Sequence, residues 1–195
     1  SRIADEGIDI DSLSSMMNAR TELAYRYYPA RVVSLTSSKL RNYLVIDRGA
    51  DDGIAANMGV ITPNKELVGK VVSCSENYAV VMPLLNTLFK IGGRLVDNGY
   101  VCSVYWEATS RYRVTGVELS LYAKPEQGMV INAESEQLPA DVVIGTIEST
   151  TINASQTAYS VDVELAADMQ CLSNLLIVEN RDQSELETLL NSVEK

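Results

Sequence analysis

Gly59-Val60-Ile61, Val68-Gly69-Lys70-Val71 and Tyr78-Ala79-Val80-Val81 follow one another in this chain. Further on, Gly128-Met129-Val130-Ile131, Ile144-Gly145-Thr146-Ile147 and Tyr159-Ser160-Val161-Asp162-Val163 repeat their order. Each set runs turn glycine, strand, glycine within a strand, strand. Connections in the second set are about six residues longer, which surface loops accommodate at small entropic cost. A glycine inside a β-branched run gives up packing, and it marks a bulge, a sharp bend or a close backbone approach. Corners of small barrels need such bends. The repeat therefore predicts two small related β-barrels.

The same alternation extends outward. Runs rich in Val, Ile and Tyr predict strands at 30–35, 43–47, 60–62, 67–73, 79–84, 90–96, 101–106, 112–119, 129–133, 142–149, 159–165 and 175–178. Turn residues separate them, and Asp97-Asn98-Gly99 between two such runs is a specific hairpin signal. Upstream of Pro29 the period changes. Ile10, Leu13, Met17, Ala24 and Tyr27 recur at helical spacing, interrupted by Arg20, with Asp11 as a candidate N-cap. This helix either pairs with a partner helix as the end of a dimerising coiled coil or lies on its own domain. At the other end, Leu186, Leu189, Leu190 and Val193 share one helical face behind Asp182 or Ser184 as cap. The fold class is thus mostly β: two small related barrels preceded by an N-terminal helix, with a short C-terminal helix. The expected division is 1–29 tail and helix, 30–106 first barrel region, 107–181 second barrel region with strands free to interleave, and 182–195 C-terminal tail or helix.

Composition removes several functions. Of the 195 residues, 46% are hydrophobic and 22% charged, a globular balance. No stretch reaches the roughly 18 apolar residues of a membrane helix, and the polar opening from Ser1 suggests a piece of a longer chain. Asp and Glu number 26 against 16 Lys and Arg, a net charge of −10 that argues against binding phosphate backbones or anionic membranes. Arg26, Arg31, Lys39 and Arg41 fall close together, and read most simply as solvated charge. Histidine is absent, which excludes Ser-His-Asp and Cys-His nucleophile systems and His-containing metal sites. Cys74, Cys102 and Cys171 are too widely spaced for a C-x-x-C motif, and are buried free thiols or one disulfide with one spare. No catalytic, cofactor or metal site is expected.

Tyr28-Pro29-Ala30-Arg31-Val32-Val33, the run Leu44-Val45-Ile46-Asp47-Arg48-Gly49-Ala50-Asp51-Asp52-Gly53-Ile54, Asn57-Met58-Gly59-Val60-Ile61 and Leu67-Val68-Gly69-Lys70-Val71 occur in that order. Together they resemble the periplasmic domain of the MreC family. Around Gly128 the likeness thins: the family's Gly-Asp, Thr-Ser-Gly and Phe-Pro read here as Gly128-Met129, Asn132-Ala133-Glu134 and Leu138-Pro139. The resemblance implies a non-catalytic, extracytoplasmic scaffold of the cell-elongation machinery, anchored to the inner membrane by a segment outside this sequence. Implied partners are MreB, MreD, RodA and a class B penicillin-binding transpeptidase, with a homodimer in the full-length protein. The alternative is a periplasmic adaptor of an efflux or secretion system, since those also join a coiled-coil stalk to small β domains. In adaptors both chain ends meet around the stalk, whereas here one helix precedes all the strands.

Five residues are candidates for partner binding: Tyr105, Trp106, Arg111, Tyr112 and Arg113. Trp, Tyr and Arg supply area and directed hydrogen bonds at interfaces, although the sole Trp equally suits a barrel plug. Ile10, Leu13, Met17, Ala24 and Tyr27 are the candidate dimer-helix positions, with Tyr25, Tyr27 and Tyr28 clustered where helix meets barrel. Asp51-Asp52-Gly53 reads as a turn, not a calcium loop, and Asp47 as a local cap or a partner of Arg48. Glu134, Glu136 and Asp141 form an acidic loop without the aromatic cleft of a glycosidase.

Overall fold

A computed structural model of the chain describes residues 24–36 and 40–193. The readings at Ile10, Leu13 and Met17 lie outside the described residues. The strands are β1 (Tyr25–Thr36), β2 (Tyr43–Ile46), β3 (Gly59–Ile61), β4 (Leu67–Cys74), β5 (Ala79–Pro83), β6 (Lys90–Leu95), β7 (Val101–Tyr105), β8 (Arg113–Leu119), β9 (Val130–Glu134), β10 (Val143–Ile152), β11 (Tyr159–Leu165) and β12 (Asn174–Asn180). A helix, α1 (Gln183–Val193), ends the described chain. Period-two burial is plain in β2, where Leu44 and Ile46 point inward, and in β5, where Ala79, Val81 and Pro83 do.

The strands close into two barrels. The first runs β1-β12-β3-β4-β5-β2, and the second β10-β11-β8-β7-β6-β9. Every neighbouring pair is antiparallel. A division at 106/107 therefore cuts the second barrel, because β6 and β7 pair with β8 and β9. Five strands of the first barrel precede the second, and its sixth, β12, returns afterwards to pair with β1 and β3. Closure removes the unpaired edges that five strands alone would leave. The second barrel is thus an insertion within the first. Residues 90–165 hold all six of its strands. Expressed alone, that segment should unfold cooperatively by near-UV circular dichroism, whereas 30–106, lacking β12, should show no cooperative transition.

The repeat seen in the sequence maps strand on strand, with β3, β4 and β5 matching β9, β10 and β11. Bulges fall at the same step after each strand glycine, between Val71 and Ser73 and between Ile147 and Ser149. Val71 N–H donates to Met58 O at 2.9 Å, as Ile147 N–H does to Met129 O. Asn57 (φ 74°) and Gly128 (φ 91°) occupy the same left-handed position before each methionine. A Cβ added at Gly69 would lie 2.0 Å from Met82 O, and one at Gly145 would lie 1.9 Å from Glu164 O. Both glycines admit the neighbouring strand's backbone where the sheet coils.

Tyr25 to Tyr28 are not helical. They begin β1, in register with Asn180 to Ile177 of β12. The helical spacing that included Tyr27 is overridden by this ladder and by the preference of tyrosine for strands. Ala24 is the one member of the proposed dimer helix that the structure describes as helical. Pro29 is tolerated because β1 meets β2 only from Val32 onward, which leaves no second ladder to need its missing N–H. Arg48 Nε donates to Pro29 O at 3.1 Å.

Candidate functional site

Trp106 follows β7 and is 6% exposed. Its indole N–H donates to Ser110 O at 2.8 Å, and the Ser110 hydroxyl accepts from Tyr112 N–H at 3.2 Å. These bonds latch the 106–112 turn. Across from it, fully buried Asn86 donates from Nδ2 to Asn42 O at 3.0 Å, and Asn42 Nδ2 donates to Leu85 O at 2.5 Å. Thr87 N–H donates to Leu40 O at 3.0 Å. This polar knot fixes the chain entering β2 against the segment leaving β5.

Between the two lies a groove of about 640 Å³. The first barrel lines it with Leu35, Leu40, Leu44 and Leu85, and the second with Trp106, Thr109 and Arg111. Met169, Gln170 and Leu172, on the connection back to β12, complete it. Leu35 and Leu40 are each more than half exposed. Among the described residues lining the groove, only Arg111 carries a charge. General acid–base chemistry needs a titratable base within hydrogen-bond reach. This lining offers apolar area with one cation at its rim.

The structure divides the predicted partner-binding cluster. Trp106 and Arg111 line the groove. Tyr112 stands at the rim, 62% exposed, its hydroxyl accepting from Gln170 Nε2 at 3.3 Å. Tyr105 donates from its hydroxyl to Glu107 Oε1 at 3.1 Å, and Arg113 pairs with Glu148 at 2.8 Å. Leu35, Leu40, Met169 and Leu172 escaped the sequence reading. Leu35 lies at the end of β1, Leu40 in the connection to β2, and Met169 and Leu172 in the connection to β12, and their only signal is apolar character beside polar neighbours.

The acidic loop joins the barrels. Lys65 Nζ meets Asp141 Oδ2 at 2.6 Å, and Val143 N–H donates to Lys65 O at 2.9 Å. Asn180 Nδ2 donates to Glu136 O at 2.6 Å, and the Tyr25 hydroxyl donates to Leu138 O at 3.1 Å. Leu138 packs so closely on Gly59 that a Cβ there would stand 2.3 Å from Leu138 Cδ2. Glu134 instead takes a bidentate pair from Arg94 at 2.7 and 2.8 Å, and these hydrogen bonds hold its carboxyl below the usual range.

Other marked residues have local partners. Asp52 Oδ2 accepts from Gly49 N–H at 3.0 Å, and Gly53 (φ 91°) ends that turn. Asp47 Oδ1 accepts from Arg31 N–H at 2.7 Å, so Arg48 pairs with Asp52 at 4.0 Å and not with Asp47. Tyr28 donates its hydroxyl to Glu179 Oε2 at 2.7 Å, and Arg26 stacks on its ring at 5.0 Å. The three cysteines are free: Cys102 is buried, Cys74 half-buried and Cys171 exposed. Burial pushes the Cys102 thiol up to about 11. Among the described residues, no group of three His, Cys, Asp or Glu side chains is placed to hold a metal ion. No helix among them is long and apolar enough to cross a membrane.

Paired six-stranded barrels, one inserted in the other and meeting at an almost uncharged groove, define a double β-barrel fold. The chain belongs to the MreC family: the family described as rod shape-determining protein MreC, barrel core, matches residues 32–179. The cell shape-determining protein MreC of Listeria monocytogenes is 26% identical over 159 residues, which cover 76% of this chain and 52% of that protein. The chain thus spans about half the length of that relative. A solved structure of MreC from Listeria monocytogenes superposes with a TM-score of 0.76 at 19% identity, covering 88% of this chain and 89% of that one. A complex between penicillin-binding protein PBP2 and MreC from Helicobacter pylori has a chain that superposes with a TM-score of 0.64 at 11% identity, covering 80% of this chain and 99% of that one. These likenesses give no support to a transport adaptor.

Proposed function

We propose that this chain is a non-catalytic, extracytoplasmic scaffold of the cell-elongation machinery. It controls cell shape by linking the MreB cytoskeleton and MreD to peptidoglycan synthases, among them RodA and a class B penicillin-binding transpeptidase. The groove between the barrels takes the transpeptidase. One observation carries this reading: Leu35 and Leu40 leave exposed apolar area in a cleft that Trp106 and Leu172 continue and whose lining holds a single charge, Arg111. The Helicobacter pylori complex of a penicillin-binding protein with a chain of this fold supports the choice of partner. Burying Leu35 and Leu40 under a partner removes exposed apolar area from water, and Arg111 directs an acidic group to the rim.

Leu40→Glu and Arg111→Glu test the groove. Both positions are exposed, so thermal stability should stay near that of the wild type. Retention of the cognate transpeptidase in a pull-down should fall about tenfold or more, the loss typical of an interface anchor. Wild-type retention by both variants would place the contact elsewhere.

A further inference from the structure

We propose that the outer edge of the β10–β11 hairpin pairs with the same edge of a second copy of this chain, antiparallel about a two-fold axis at Thr151. The internal repeat isolates what is special here. In the first barrel the matching hairpin pairs Ser73 with Val80 and Cys74 with Ala79, and then turns. Its tip is held, since the N–H groups of Ala50 and Asp51 donate to Ser75 O at 2.8 Å and Glu76 O at 3.0 Å. In the second barrel Ser149 with Asp162 and Thr150 with Val161 take the same places, and the hairpin then runs on through Thr151 with Ser160 and Ile152 with Tyr159. A bulge follows Ile147, and a bulged strand bends. Beyond it β10 leaves β9, which pairs with Val143, Gly145 and Thr146. Among the described residues, no other strand lies along 148–152 on that side. Ser149, Thr150, Thr151 and Ile152 are all exposed.

The turn decides which backbone groups face outward. Asn153 N–H donates to Ala158 O at 2.9 Å. In the alternation of an antiparallel ladder, Thr151 then faces β11, while Thr150 and Ile152 present N–H and C=O away from it. About an axis at Thr151, Thr150 opposes Ile152 of the second copy and Ile152 opposes its Thr150, so every outward donor meets an acceptor. The two Thr151 residues form the close, non-hydrogen-bonded pair of that ladder, with Cα atoms about 4.5 Å apart. An edge of this parity is complementary to itself, as a two-fold interface requires. Charge selects the same occupant. Two chains of net charge −10 repel each other over most of their surface. From Ser149 to Val161 no residue is charged, against 22% of the whole chain, so two copies can approach here. A charged partner strand would find no counter-ion along this edge. Edges that proteins keep apart carry Lys, Pro or an inward charge, and 149–152 carries none of these. The turn satisfies its own polar groups, Asn153 Oδ1 accepting from Thr157 N–H at 2.8 Å and Ala158 N–H at 3.2 Å, so the arm is formed before it pairs.

The test is disulfide trapping in the full chain, with Cys171→Ser removing the exposed native thiol. Thr151→Cys should give a covalent dimer on mild oxidation, read on non-reducing gels. Ser149→Cys is the control. In this register it faces Asn153 of the second copy, which sets the two position-149 thiols about 13 Å apart along the strands, beyond disulfide reach. The dimer yield of Thr151→Cys should exceed that of the control about tenfold, since pairing raises the local thiol concentration. Adding Thr150→Pro removes one outward N–H at a place where an edge strand accepts proline. It should abolish trapping while the melting temperature stays near that of the wild type. Equal yields at 151 and 149 would mean random collision and overturn the proposal. A dimer that survives Thr150→Pro would join the copies by another face and overturn it too. No dimer at all would leave the edge to a different protein's strand, a third way to fail. None of these residues lines the groove between the barrels, so each failure leaves the scaffold reading untouched.

Discussion

Gly145→Ala should destabilise the protein by about 3 kcal/mol or more, beyond the usual range for a single added methyl group. The new Cβ would stand 1.9 Å from Glu164 O and 2.8 Å from Glu164 C, both backbone atoms of β11. A flexible side chain could swing aside from such a clash. This carbonyl cannot, because β11 is paired to β10 on one side and β8 on the other. Relief requires one ladder to open, and opening a ladder in a closed barrel strands backbone donors and acceptors away from water. Gly69→Ala should behave alike, since its Cβ would meet Met82 O at 2.0 Å within the β4–β5 pair. Gly128→Ala is the control. Nothing lies within 4 Å of its added Cβ, so only the left-handed backbone at φ 91° resists, at a cost of about 1–2 kcal/mol. Thermal unfolding of the three variants, followed by circular dichroism, should give two large falls and one small one. Equal melting temperatures for all three would mean that neither strand glycine admits a neighbouring carbonyl.

That result bears on how the two barrels are related. A steric demand at one strand glycine is a local fact. The same demand at both, followed in each case by a bulge two residues on and a methionine-anchored backbone bond, is a shared construction. Insertion of one barrel into the other explains why the matching strands differ in chain order: β12 takes in the first barrel the place that β6 takes in the second. The close-approach glycines survive in both copies because β4 and β10 each pass the neighbouring backbone at the same point of the coil.

The glycine pattern and the β-branched runs are local signals, so all twelve strands were legible in the sequence. Partnership of strands was not. Asn174–Asn180 carries no mark that it closes the barrel begun by Tyr25 rather than the one ending at Leu165. Its pairing is decided by which sheet still has free edges, a property of the assembled fold. Tyr27 misled for a related reason: it continues the helical spacing of Met17 and Ala24, but β12 supplies a ladder that no sequence window contains. The groove was half visible. Trp106 and Arg111 stand out by residue type, whereas Leu35 and Leu40 meet Met169 and Leu172 only when distant parts of the chain converge. The acidic loop was read only as lacking a glycosidase's aromatic cleft, yet it joins the barrels through Asp141 and through carbonyls that residue type cannot reveal.

Trp106→Ala should cost about 3–5 kcal/mol, the range for emptying a buried aromatic site. Its side chain is 6% exposed, and removal leaves both a cavity and the Ser110 carbonyl without the indole donor at 2.8 Å. The same indole lines the groove and latches the turn that carries Arg111. Stability and binding should therefore fall together in this variant, and a pull-down alone would misread it as a contact residue. Trp106→Phe separates the two roles. It keeps most of the apolar volume and loses the hydrogen bond, at about 1–2 kcal/mol, so the protein should remain folded with a loosened turn and intermediate retention of the transpeptidase. Leu40→Glu completes the series, losing retention at nearly wild-type stability. Plotted as retention against melting temperature, the tryptophan variants should lie on a diagonal and Leu40→Glu well below it. A Trp106→Ala protein that melts with the wild type would show that the indole is a free surface group and that the turn holds itself, which would remove the connection drawn between core packing and the shape of the groove.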